Sequence, residues 1–62
     1  MKTTAKTVIM SHLSDAEYMS ADHDYRSAVR ENIEFAKFLI IKYSNTKTEI
    51  DPDIEWQLFK NL

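Results

Sequence analysis

His12 and His23 are the imidazoles of this chain, a side chain that can bind a metal or move a proton near neutral pH. A metal centre needs three or four donors converging on one point. The run Asp22-His23-Asp24 supplies three donors in a row, but neighbours in a turn do not all point inward. His23 therefore reads as a solvated neighbour of a helix cap. His12 falls on an apolar helical face and reads as a hydrogen-bonded core or interface residue. In an oligomer seam, its protonation below about pH 6.5 would weaken assembly. The carboxylates gather in two places, Asp15, Glu17, Asp22 and Asp24 in the first half and Asp51, Asp53 and Glu55 near the end. Acid–base work by a carboxyl pair needs a cleft that splits their pKa values. A single helical chain of 62 residues is not expected to form one, so capping and solubility account for these groups. No serine has a recognisable His–Asp partnership, and there is no cysteine nucleophile. Glycine is absent, which excludes both the Walker and the dinucleotide-binding loops. Neither an enzyme nor a cofactor or metal is expected.

A basic stripe is the remaining chemical feature. Arg26, Arg30 and Lys37 lie within about 40° of one another around a helix. Such a stripe is either a solvated face with intrahelical pairs, Arg30 with Glu34 for example, or a contact for an anion. Arginine suits phosphate because its planar fork binds two oxygens at once. Repeated around an oligomer, the stripe would line a nucleotide-like site.

The element that carries this stripe is the most legible part of the chain. Tyr25, Ala28, Val29, Ile33, Ala36, Leu39, Ile40 and Tyr43 fall on one apolar arc of a helix about five turns long. Between Phe35 and Tyr43 the helix is apolar nearly all round, and Phe38 and Ile41 point away from the main arc. A helix of that kind has to be covered on more than one side. A short chain has little with which to cover it, so a second copy is expected to help. Asn32 lies inside the apolar arc, where it is either satisfied by nearby backbone or fixes register in a helix–helix seam. Asn32, Phe35, Phe38, Ile41 and Trp56 are the expected oligomer contacts; Arg26, Arg30 and Lys37 are the expected anion contacts.

Residues 3–21 admit two readings. A helix from about Ala5 puts Ala5, Val8, Ile9, His12, Ala16 and Met19 on one face. Alternatively, Thr4 to Met10 is a strand and Ser14-Asp15-Ala16-Glu17 caps a later helix. The continuous face favours the single helix. A break is expected at residues 20–24, with Ser20, Asp22 and Asp24 as cap candidates. The long helix should end near Ser44 with Asn45 in the left-handed cap position, followed by a polar loop from which Ile50 tucks back. Asp51-Pro52-Asp53 marks the next helix start, with Asp51 as cap and Pro52 in the first turn. In that helix Ile54, Leu58 and Leu62, with Phe59 beside them, form the expected packing face, and Trp56 points off it. The fold expected is all-α in one domain, 1–62: an antiparallel helical hairpin, about 5–20 and 24–44, plus a short C-terminal helix, about 52–61, self-associating.

Size supports that last term. A chain of this length buries only about 60% of its unfolded surface, and with no cysteine, oligomerisation is the remedy left. The net charge of −2 gives no push toward nucleic acid or anionic membrane. The longest apolar run, Phe38 to Ile41, is far short of a membrane span, and the start of the chain lacks a secretory apolar core, so a cytoplasmic location is expected. The functional expectation is a small non-enzymatic helical protein that self-associates and binds a protein partner or an anionic nucleotide-like ligand in fixed stoichiometry. Its size, mild acidity and lack of cysteine and glycine suit small accessory or inhibitory proteins of phages and mobile elements, an analogy of style that no motif carries. A dimeric ribbon–helix–helix DNA-binding regulator is the alternative, with residues 2–10 as strand and Lys2, Thr4 and Lys6 on one side. A small acid–base or metal-dependent enzyme is a third.

Overall fold

The computed structural model describes residues 2–20 and 26–62, as β1 (Thr3–Thr4), α1 (Ala5–Met19), α2 (Arg26–Lys42), β2 (Glu49–Ile50) and α3 (Pro52–Lys60). Helices α1 and α2 pack as an antiparallel hairpin, and α3 lies against α2. The expected fold class holds for all three helices. The expected helix start near 24, together with Asp22, His23, Asp24 and Tyr25, lies outside the described residues.

Helix α1 follows the continuous-face reading. Ala5, Val8, Ile9 and Ala16 are buried, with His12 and Met19 half-buried beside them. The strand alternative stops at Thr4, where the chain turns into helix instead. The Thr4 hydroxyl accepts the Thr7 N–H at 3.3 Å and caps the first turn. The N–H groups of Ala5 and Lys6 donate to the carbonyls of Thr48 and Thr46, both at 2.8 Å. The loop after α2 thus satisfies donors that a helix start leaves open. Ser14 sits mid-helix and caps nothing. A two-residue antiparallel bridge, Thr3 opposite Ile50 and Thr4 opposite Glu49, was not legible in the sequence. It draws Ile50 into the core, as expected of that residue.

Helix α2 ends at Lys42, with the Tyr43 N–H still bonded to the Leu39 carbonyl at 2.9 Å. The left-handed cap expected at Asn45 is not formed, for no described residue has positive φ. Asn45 turns the chain another way. Its side-chain oxygen accepts the Lys47 N–H at 3.0 Å and its carbonyl accepts the Thr48 N–H at 3.1 Å.

Helix α3 starts as expected, with the Asp51 carboxylate accepting the N–H groups of Asp53 at 3.0 Å and Ile54 at 3.4 Å. Pro52 takes the first turn, where its missing N–H costs nothing. Its packing face differs from the expectation. Ile54, Leu58 and Leu62 are exposed, while Trp56 and Phe59 pack on the core and Glu55 is buried. The helix is turned by about one residue, or ~100°, from the face a leucine repeat suggests. Turned this way, the Trp56 and Phe59 rings reach Phe35, and aromatic pairs gain beyond the area they bury.

The core is therefore aromatic. Phe35 and Leu39 are the largest fully buried side chains, worth roughly 1.5–3 kcal/mol each by area. Around Phe35 stand His12 edge-on at 4.7 Å, Trp56 edge-on at 5.0 Å and Phe59 tilted at 5.4 Å between ring centroids. Phe38 closes the set through Phe59, at 5.6 Å. Each such pair adds ~0.5–1.5 kcal/mol beyond its area.

Candidate functional site: an apolar groove between two helices

What holds α3 against α2 also shapes the surface between them. Glu55 is buried, its side chain 7% exposed, and receives the Lys42 ammonium at 2.9 Å. The Tyr43 hydroxyl donates to the other carboxylate oxygen of Glu55. Sequential residues at the end of α2 thus grip one carboxylate on the first turn of α3. The hydrogen bond to Glu55 raises the Lys42 pKa above its ordinary value, against the opposing effect of desolvation. The same bond, with desolvation acting in the same direction, raises the Tyr43 phenol. At the other end of α3, Lys60 pairs with Glu31 of α2 and sits over the Trp56 ring at 5.0 Å. Two electrostatic ties at the two ends leave α3 fixed along α2.

Between the ties, on the solvent side, lies a groove of about 470 Å³. Phe38 and Ile41 of α2 and Phe59 and Leu62 beyond it line one apolar trough, with Glu34, Lys37 and Lys42 as its charged lining. Ile41 is 84% exposed and Leu62 89%. The exposed Ile54 and Leu58 line a second, shallower groove of about 340 Å³ on the outer side of α3. Large apolar side chains gathered in one concave surface are the feature that marks a docking site, in contrast to single exposed ones.

The expected oligomer contacts divide into two groups. Phe35 has no exposed surface, and half-buried Trp56 is engaged in the ring cluster, so the chain covers both by itself. Asn32 lies in a seam between helices of one chain. Its side-chain oxygen faces the His12 Nδ1 at 2.8 Å, which makes Nδ1 the donor. The His12 ring also lies parallel to Trp56, at 6.1 Å and 8°. His12 is thus the hydrogen-bonded core residue its position implied. Phe38 and Ile41, by contrast, line the groove. Of the expected anion contacts, Arg26, Arg30 and Lys37 are all exposed, and Lys37 pairs loosely with Glu34 at 3.9 Å. Only the residue pattern unites the three; Lys37 belongs to the groove rim.

Sequence reasoning missed Phe59 and Leu62 as groove residues because it turned α3 the wrong way. It also missed the Lys42–Glu55–Tyr43 tie. Glu55 next to the inward Trp56, an acid that burial would leave in need of a donor, was the available signal. Among the described residues no group of three or more His, Cys, Asp or Glu side chains could hold a metal ion. No described helix is long and apolar enough to cross a membrane. Compared with protein-family models, with curated proteins and with solved structures, the chain shows no match.

Proposed function

We propose that this chain is a small non-enzymatic binding protein that acts in fixed stoichiometry, docking apolar helical segments, its own copies included, on the α2–α3 face. The observation that carries the reading is the groove itself, with Ile41 and Leu62 almost wholly exposed on either side of half-buried Phe38 and Phe59. Covering an exposed Ile or Leu is worth roughly 1.5–3 kcal/mol. A trough between two helices with polar rims suits the helix-in-groove mode of recognition. A nucleotide-like anion is the lesser reading, since most of the lining is apolar, the basic stripe reaches it only at Lys37, and the other lining cation, Lys42, is paired with Glu55.

The test uses the apolar dye ANS as probe, at protein concentrations low enough to hold the chain at its smallest mass. The expected result is dye fluorescence together with shifts of the Ile41 and Leu62 methyl resonances, and at least a severalfold weaker response in Ile41→Ser. A dye that leaves those methyls unmoved, or binds Ile41→Ser as well as the parent, overturns the reading.

A further inference from the structure

We infer that the first occupant of the α2–α3 face is a second copy of the chain, packed two-fold with the two α2 helices antiparallel and Glu34 of each opposite Lys37 of the other. This rests on the docking face proposed above and names what fills it.

Surface area is the first observation. The chain exposes 4791 Å². Size scaling for folded monomers gives about 4,200 Å² at its mass of 7.3 kDa. The chain thus exposes about 600 Å² more surface than that scaling gives, surface a partner can cover. Four of the eight exposed large apolar side chains among the described residues lie on this face, the others being Met10, Leu13 and Tyr18 of α1 and Ile40 of α2. Ile41 and Leu62 stand at the groove, and Ile54 and Leu58 continue along α3.

Charge is the second. Arg30, Glu34, Lys37 and Ile41 follow one another at spacings of four, three and four, one line along the exposed side of α2. A two-fold axis between Glu34 and Lys37 lays this line over its own reverse. Acid then meets base twice at the centre. At each end Ile41 meets the stem of Arg30, whose methylenes cover apolar surface while the guanidinium stays wet. No like charges are opposed anywhere along the line. A two-fold interface requires this kind of self-match, because each patch must complement itself. Within one chain the Glu34–Lys37 pair is long, 3.9 Å, and both side chains are more than half exposed. Both are free to exchange partners. The groove beside the line is then roofed by the neighbouring copy, and Phe38, Phe59 and Leu62 leave water together.

Charge reversal tests both the partner and the register. The parent chain is expected to sediment and scatter at twice 7.3 kDa. Glu34→Lys alone, and Lys37→Glu alone, each place like charges across the axis and should weaken self-association about tenfold or more. Mixing the two variants should restore the doubled mass as a mixed dimer, because one now presents only cations and the other only anions at those two positions. Circular dichroism of each variant should match the parent, since both sites are exposed. A parent of single-chain mass at millimolar concentration overturns the inference, as does a mixture no heavier than its components. If ANS still finds Ile41 and Leu62 in such a monomer, the docking face stands and only its occupant is wrong.

Discussion

Helix α2 has two flanks built from neighbouring residues with opposite outcomes. One flank carries Phe35 and Leu39 into a sealed cluster with His12, Trp56 and Phe59. The other carries Ile41, which has almost nothing over it. The two kinds of residue are equally apolar and lie within two turns of each other. The difference is supply: α1 and α3 together provide enough side chain to cover one side of α2 and part of a second. Hydrophobicity sets which residues gain from cover, and chain length sets how many receive it.

The sharpest break of this contrast is Phe35→Ala. It removes the ring around which the other rings are arranged, and should cost about 3–5 kcal/mol, enough to unfold a domain of this size, as read by chemical denaturation. Next is Tyr43→Phe, which leaves one oxygen of buried Glu55 without its hydroxyl donor. A loss of about 1–3 kcal/mol is expected. The same tie has a pH signature. With the Tyr43 pKa raised in the folded chain, its contribution is complete below the unfolded value near 10.0 and is lost as pH rises through the folded value. Glu55→Gln should lower the midpoint of that phenol, followed by ultraviolet absorbance.

Asp51→Ala should cost about 0.5–2 kcal/mol by uncapping α3. Desolvation works against ionising Asp51, but favourable contacts led by the backbone N–H groups of Asp53 and Ile54 outweigh it and lower its pKa. The carboxylate's share of stability is thus present above the ordinary value of 3.8 and lost as pH falls below it. The gap between parent and Asp51→Ala should narrow there. The smallest effect on the folded chain belongs to Ile41→Ser, within about ±0.5 kcal/mol, because nothing covers that side chain. Its consequence should appear in assembly mass instead. A loss of several kcal/mol in the dissociated chain would show Ile41 to be buried within one copy and erase the contrast.

Helical period placed α1 correctly to within a residue at each end, and Asp51-Pro52 placed the start of α3. These signals are local, one set by the repeat of side chains on a cylinder and the other by cap chemistry. The face of α3 was not legible, because Ile54-Leu58-Leu62 and Trp56-Phe59 are both plausible stripes. The choice between them depends on which residues α2 presents, a tertiary matter. The same holds for Phe35. Its angle on α2 put it at the margin of the apolar arc, and only α3 on that flank moved the margin to the centre. Of the groove, Phe38 and Ile41 could be named from sequence because they depart from the arc of their own helix, and Lys37 only as a member of the basic stripe. Phe59 and Leu62 could not, since their place follows from α3's rotation.

The turns described above use only right-handed and extended backbone, in a chain without a single glycine. No described position therefore carries the steric penalty that a left-handed site imposes on a residue with a side chain. The unfolded chain, for its part, lacks the extra freedom glycine brings and has less disorder to surrender on folding. Economy of main-chain entropy is one way so small a chain can hold its shape while leaving part of its grease outside.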